Sequence, residues 1–364
     1  MSRLNAMQLC LSPDKGGLEL YVAKLAGFLD NEVELSVVLA DKSDIFPYFS
    51  NIKSPIYQVR RKLTSAIKIA KIIDKGNIDI VHVHWAKDLP VAVLAKILSK
   101  KKPKLIQTRH MEMTLFKNDF YHRFIYKNID LMIAVTKQVK EQIEKFITPA
   151  PQVVLSYIGV EKKPKISVSA LTKLRGKYHL NAKFIACIVG RIEHEKGQHV
   201  VIDAVDKLLK QGVDIQLIII GDTMTQTYLK DFKNNINHRG LDEKIILTGF
   251  LSNAHEVIQL CDALILATRK ETFGMVLVEA MQAAICVIAS DRGGPLEIID
   301  NNKTGLLFKS FDSDALCEKI LNLYQHSDLK ALYALAGQKK AEDKFNDVKQ
   351  FNEILANYQS IIKS

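Results

Sequence analysis

Two consecutive series of short apolar runs, each run followed by a stretch of helical periodicity, constrain this chain more than any other feature. The first series reads 6-AMQLCLS-12, 33-VELSVVLA-40, 78-IDIVHVH-84, 104-KLIQTRH-110, 130-DLMIAVT-136 and a short run at 152–156. The second reads 184-FIACIVG-190, 214-DIQLIIIGD-222, 244-KIILTG-249, 262-DALILAT-268 and 285-ICVIAS-290. The runs are rich in Ile, Val and Leu and are continuous rather than alternating, as in parallel sheets covered on both faces by helices. At 364 residues the chain exceeds what one core usually serves. Two doubly wound α/β domains follow, with ligands expected beyond the carboxyl ends of the strands. The charged, Pro-containing segment 159-GVEKKPKISVS-169 lacks periodicity and is the expected linker. The expected division is 1–163, 164–345 and a last helix, 346–364.

No apolar run approaches the length needed to span a bilayer. The opening MSRLNAMQLCLSPDKGG has no long apolar core and no small-residue cleavage site, so no signal peptide is expected. Cys10, Cys187, Cys261, Cys286 and Cys317 are scattered, without a C-x-x-C pair. That pattern predicts reduced thiols in a cytoplasmic protein, with neither a disulfide framework nor a Cys-based zinc site. The net charge of +11 is unevenly spread. Residues 1–165 hold 27 Lys and Arg against 16 Asp and Glu, whereas 166–364 hold 24 of each. The excess gathers in 60-RRK-62, 100-KKKPK-104 and 162-KKPK-165, and at Lys68, Lys71 and Lys75. Such a surface attracts a polyanion or merely aids solubility.

The loops after the runs carry the chemistry, and each motif has a plainer alternative. In 190-GRIEHEKG-197, Arg191 and Lys196 suit a diphosphate, or form a solvated turn. In 270-KETFGMVLVEAM-281, the first N–H groups of a helix starting at Gly274 suit an anion. Glu271 and Glu279 either pair with core cations or accept from ligand hydroxyls, Glu271 from a sugar and Glu279 from a ribose. The Gly pairs of 290-SDRGGPLEII-299 and of Gly16-Gly17 permit close backbone approach, or simply turn the chain. His82 and His84 share one strand face and are expected to be partly buried, while His110 ends a strand and is the better site residue. A metal is not expected: 194-HEKGQH-199 has one residue too many for H-E-x-x-H, and 312-DSD-314 is better read as a helix cap.

Together these pieces resemble a family 4 retaining glycosyltransferase of the GT-B architecture, two facing Rossmann-like domains with a deep cleft. The carriers are Gly16-Gly17 with Glu19, 80-IVHVHW-85, 107-QTRH-110, 190-GRIEHEKG-197, 219-IIGD-222, 247-LTGF-250, 271-ETFGMVLVEAM-281, 293-GGPLEII-299 and 304-TGLLF-308. The resemblance spans nearly the whole chain, and the Glu-x7-Glu pair enclosing Phe-Gly is its most specific part. It implies a UDP- or GDP-sugar donor as substrate, no separate cofactor, and a second domain that binds the donor. By that match Arg191 and Lys196 hold the diphosphate, Glu271 the sugar hydroxyls and Glu279 the ribose. Thr272, Phe273, Gly274, Met275 and Val276 meet sugar and phosphates, and Phe250 and Leu251 meet the base. Gly190 and Asp222 lie in the same donor motifs, Gly16 and Gly17 lie against the phosphates, and His110 is near the sugar. Thr272 stands where the family often has Pro, and Ala284-Ile285-Cys286 where it often has a Gly-x-Pro turn. The last helix is expected to cross back to the first domain.

Breaking a sugar–diphosphate bond leaves negative charge on the leaving group. Arg191, Lys196 and the helix start at Gly274 are the groups expected to meet it. Front-face attack with retention is the expected path, and a double displacement through Glu271 the rival. The acceptor is expected to be a glycan or a lipid-linked or lipopolysaccharide-type glycan at an anionic membrane face. Helix 64–75 is expected to carry Lys68, Lys71 and Lys75 on one side and Ile67, Ile69, Ile72 and Ile73 on the other, and 115-LFKNDFYHRFIYK-127 interleaves aromatics with cations. A nucleotide-sugar epimerase of the same architecture is the nearest alternative. A basic nucleic-acid-binding protein is more distant, because no recognition signature is present.

Overall fold

The computed structural model describes residues 3–14, 16–223 and 225–363. Met1 and Ser2, in the opening segment, and Ser364, at the end of the expected last helix, lie outside the described residues. The chain forms two compact units, Met1–Gly159 with Asp347–Ser364, and Val160–Asn346. The division falls after Gly159 rather than after Lys163 because Val160 is already bonded within the second unit. Its carbonyl accepts from Gln282 Nε2 (2.8 Å) and its N–H donates to Phe345 O (2.8 Å).

The first unit is built on a seven-stranded parallel sheet: β1 (Asn5–Cys10), β2 (Glu34–Ala40), β3 (Ile56–Val59), β4 (Ile80–Val83), β5 (Lys104–Arg109), β6 (Leu131–Ala134) and β7 (Gln152–Leu155), in the order β3-β2-β1-β4-β5-β6-β7. Strand β3 is absent from the sequence reading. It is an edge strand in which only Val59 is buried, so it leaves no apolar run. The period-two alternation of a strand sorts side chains to the two faces. Met7, Leu9, Leu11, Val81, Val83, Leu105 and Met132 join one core with the helices Ser65–Lys75, Leu89–Leu98, Phe120–Lys127 and Lys137–Phe146. The opposite face carries polar groups inside. Tyr358, from the helix Asp347–Lys363, presents its hydroxyl to Gln8 Nε2 (2.8 Å) and His82 Nδ1 (2.6 Å). His82 Nε2 meets Thr108 Oγ1 (2.7 Å), and His84 Nε2 meets Gln8 Oε1 (2.6 Å). Both histidines are fully buried rather than half-exposed, because this helix covers the strand face that bears them. Ile67 also departs from expectation: it is 57% exposed, while Ile69, Ile72 and Ile73 are buried.

The second unit has six parallel strands: β8 (Phe184–Val189), β9 (Ile215–Ile220), β10 (Ile245–Gly249), β11 (Ala263–Leu266), β12 (Cys286–Ser290) and β13 (Leu306–Phe308), in the order β10-β9-β8-β11-β12-β13. Strand β13 is only three residues long and does not stand out as a run. The helix Val168–Lys177 begins inside the segment read as a linker; none of its residues is buried, which explains its missing periodicity. Asp312 does cap a helix, its Oδ1 accepting from the N–H groups of Asp314 (3.1 Å) and Ala315 (3.0 Å). In each unit the strand order reverses beside the first strand, at β1/β4 and at β8/β11. Loops splay apart at such a point, which makes room for a ligand.

Candidate functional site

In the second unit the loops leaving β8, β11 and β12 are knotted together at that point. Gly190 leaves β8, and Ile192 N–H then bonds to Asp222 O (2.9 Å), so Asp222 anchors the loop by its backbone while its side chain is exposed. The turn His194–Lys196 follows and ends on Gly197 at φ +71°, where a Cβ would stand 2.2 Å from Ala267 O. Only glycine meets both conditions. Glu195 O receives the N–H of Arg269 (2.9 Å) and the hydroxyl of Thr268 (3.1 Å), which ties this turn to the end of β11. Ser290 Oγ, at the end of β12, donates to Thr268 O (2.6 Å).

This knot sets Lys196 Nζ 3.1 Å from Glu271 Oε2, with the two side chains 25% and 21% exposed. A half-buried pair of this kind is worth more than a surface one, yet either partner remains reachable by a ligand. Arg191 lies on the exposed part of the loop, 3.6 Å from Glu193. Glu271 O accepts the N–H of Gly294 (2.8 Å), and a Cβ on Gly294 would stand 2.2 Å from Phe273 O. Only glycine at 294 therefore lets the 271–274 loop lie directly on the turn after β12. Thr272 is half-buried, and the Phe273 ring is buried against Phe345 (5.7 Å), so only its backbone can meet a ligand. Gly274, at φ +100°, starts the helix Met275–Gln282. Its first N–H groups, beside the partly exposed Met275 and Val276, lack intrahelical acceptors and carry the positive end of the helix dipole.

Glu279, on the same helix, faces a different neighbourhood. It lines a pocket with Glu161, Lys163, His255, Gln259 and Gln282. The segment from Val160 forms one wall because two glutamines hold it: Gln282 through Val160 O, and Gln259 through Ile166 N–H (3.1 Å) and Pro164 O (3.1 Å). Gln282 Oε1 is buried there with no partner among the described residues. Buried amide oxygens are nearly always satisfied, so this one has room for a donor, whether an ordered water or a ligand hydroxyl. Phe250, after β10, is largely exposed and Leu251 is half-buried.

In the first unit, Gly16 caps the helix Gly17–Glu32, and the carboxylate of the buried Glu19 folds back over it. A Cβ on Gly16 would stand 3.0 Å from Glu19 Oε2. His110 follows β5 and packs edge-on to Tyr21 (4.9 Å), while its Nε2 is buried with no partner among the described residues. Burial, then the neighbouring Arg109 guanidinium, push its pKa down to about 3. It is therefore neutral at physiological pH and offers a hydrogen bond rather than a charge. Asp88 is buried under the same edge and accepts from Leu11 N–H (2.7 Å); burial raises its carboxyl to about 7.

The family model of glycosyl transferases group 1 matches residues 170–340, and that of glycosyltransferase family 4 matches residues 15–163. The chain belongs to the family 4 glycosyltransferases. It is 28% identical to a glycosyltransferase of Methanocaldococcus jannaschii over 87% of each chain. It is 22% identical to the capsular polysaccharide biosynthesis glycosyltransferase CapM of Staphylococcus aureus, over 91% of each. It is also 22% identical to a Campylobacter jejuni N-acetylgalactosaminyltransferase with a diphospho-undecaprenol-linked acceptor, over 90% of this chain and 92% of that one. The solved structure of Anabaena HepE with UDP superposes over 98% of this chain and 100% of its own, at a TM-score of 0.87 and 21% identity. The shared fold is GT-B.

In this glycosyltransferase, sequence reasoning missed Asp88 and the Lys163, His255, Gln259 and Gln282 group. No periodicity or motif marks them. The Glu279 group has one signal, a tertiary one: residues about a hundred positions apart line a single pocket. Asp88, in the first unit, is marked only by its burial and its bond from Leu11 N–H.

Proposed function

We propose that this glycosyltransferase moves a sugar from a UDP-sugar to a hydroxyl of a lipid-linked or polysaccharide acceptor, with retention and without a metal. The observation that carries this reading is the Lys196–Glu271 pair beside the helix start at Gly274. A diphosphate entering there competes for Lys196 and frees Glu271 to accept from sugar hydroxyls. Lys196, Arg191 and the N–H groups at Gly274–Val276 then stabilise the charge that grows on the leaving diphosphate. Cations and oriented N–H groups of the chain itself supply what a divalent ion would otherwise supply. Glu279 and the unpartnered Gln282 Oε1 suit the two hydroxyls of a ribose. HepE, of the same fold, holds UDP, which favours uridine over guanosine.

The sugar–phosphate bond breaks as the acceptor oxygen bonds to the anomeric carbon on the same face, and the leaving phosphate oxygen takes the acceptor's proton. His110, neutral and with its buried Nε2 lacking a partner among the described residues, is a hydrogen-bonding group for a hydroxyl. The similarity to capsule-synthesis and diphospho-undecaprenol enzymes supports a cell-surface glycan on a lipid carrier.

A panel of UDP- and GDP-sugars is incubated with the enzyme and undecaprenyl-diphosphate glycans in the presence of EDTA, and the product linkage is read by NMR. An α-linked product from an α-linked donor is expected. An inverted linkage or full loss of turnover in EDTA would overturn the mechanism. Interconversion of the sugar nucleotide with no acceptor present would identify an epimerase instead.

A further inference from the structure

Between residues 111 and 124 six large apolar side chains are exposed: Met111, Leu115, Phe116, Phe120, Tyr121 and Phe124. Phe120 is 89% exposed and Leu115 67%. An exposed cluster of this kind marks a surface that meets something apolar. The segment is not loose. Arg109 holds it from behind, its Nε donating to Met111 O (2.8 Å) and its Nη2 to Glu112 O (3.1 Å). Met113 is buried, with its N–H on Gln142 Oε1 (2.8 Å), and Lys117 N–H reaches Phe146 O (2.7 Å). The backbone is thus pinned at three points while the side chains between the pins stand outward.

This segment leaves the carboxyl end of β5 and runs into the helix Phe120–Lys127. That helix packs beside Leu89–Leu98, which packs beside Ser65–Lys75, all on one face of the sheet. The loop entering Ser65–Lys75 exposes Arg60, Arg61 and Lys62 together with Leu63. Residues 60–75 contain six Lys and Arg and one acid, Asp74, whose Oδ1 accepts from the N–H groups of Lys100 and Lys101. Arg61 lies over the Trp85 ring (5.3 Å) at the same edge. Parallel strands bring the loops after β3, β4 and β5 to one edge, so the aromatic segment and the cationic loop share it.

We propose that this edge of the first unit docks on an anionic lipid surface, with Leu115, Phe116 and Phe120 entering the headgroup layer and Arg60, Arg61 and Lys62 meeting lipid phosphates. It rests on the lipid-linked acceptor reading for its purpose alone; the docking itself needs only the side chains named. A bilayer surface combines anionic headgroups with an apolar layer a few ångströms beneath. A soluble polyanion would engage the cations and leave Met111 and Leu115 in water.

The full-length protein is sedimented with vesicles of phosphatidylcholine alone and of phosphatidylcholine with phosphatidylglycerol, at low and high salt. UDP binding is measured by calorimetry in parallel. Retention is expected on the anionic vesicles only. Arg60→Gln with Lys62→Gln should weaken partitioning on the order of 10- to 30-fold at low salt, since each cation near the surface contributes. Leu115→Ser with Phe120→Ser, both highly exposed and so harmless to folding, should abolish the fraction that survives high salt, with UDP binding unchanged. Failure of the wild type to bind anionic vesicles overturns the docking even where UDP binding is intact. Loss of UDP binding with vesicle retention intact counts against the donor site instead. A Leu115→Ser/Phe120→Ser variant that keeps vesicle retention but loses affinity for a soluble glycan or a protein also overturns the proposal.

Discussion

At Lys196 an ammonium lies 3.1 Å from Glu271 on a turn fixed by Gly197 and Glu195 O. If that ammonium stabilises a departing diphosphate, its contribution is largest in the transition state. Lys196→Ala should lower kcat on the order of 10²–10³-fold, with a smaller change in donor KM. Glu279→Gln should act the other way, raising donor KM with kcat little changed, because a ribose contact is the same in ground and transition states. Steady-state kinetics on both variants checks the division. Equal effects on kcat would show that the two glutamate neighbourhoods are not separate in function. At this scale residue types were legible: a cation pair, two carboxylates and a glycine pair stood at strand ends. Which atoms pair was not, since the pairing of residue 196 with residue 271 depends on where β8 and β11 meet.

Among elements, the helix Asp347–Lys363 has the most to reveal. Its Tyr358 hydroxyl is shared by Gln8 and His82 inside the first unit. Tyr358→Phe leaves two buried polar groups short of a partner and should cost ~1–3 kcal/mol in urea unfolding. No loss of stability would mean the network is not formed. The same face makes the first unit sensitive to acid. Burial, and then the neighbouring His110, push His82 down to about 3, far below the ordinary value for histidine. The unfolded chain therefore binds a proton that the folded chain refuses. That stabilisation is complete above pH ~6.5 and is lost progressively as pH falls from there toward 3. Melting temperature should drop between pH 7 and 5, before most carboxylates titrate. Asp88, raised to about 7, acts in the opposite sense over the same range, so a profile that stays flat in an Asp88→Asn variant as well would contradict neutral buried histidines. Strand periodicity places His82 and His84 on one face. Periodicity carries no sign that a helix more than 260 residues later covers them.

For the whole molecule, the chain's end completes a unit begun at its start. Phe351, Ile354 and Tyr358 are buried, so a chain ending at Asn346 should expose the polar-lined face of the first sheet. Its melting temperature should fall, and it should bind a hydrophobic dye that the intact protein ignores. An unchanged melting curve would show that the helix is an appendage.

Continuous Ile, Val and Leu runs determined the two parallel sheets by themselves, because only a strand covered on both faces tolerates such composition. The same sequence pointed to the strand-end loops as the candidate site, and within them to 270-KETFGMVLVEAM-281. Short edge strands such as β3 and β13 escaped because few of their side chains are buried. Tertiary structure alone decided that Lys196 meets Glu271, that Glu279 shares a pocket with Lys163 and His255, and that Phe120 stands in water. Periodicity reports whether a side chain has a covered face. It does not report which distant segment provides the cover, and every one of these outcomes turns on that.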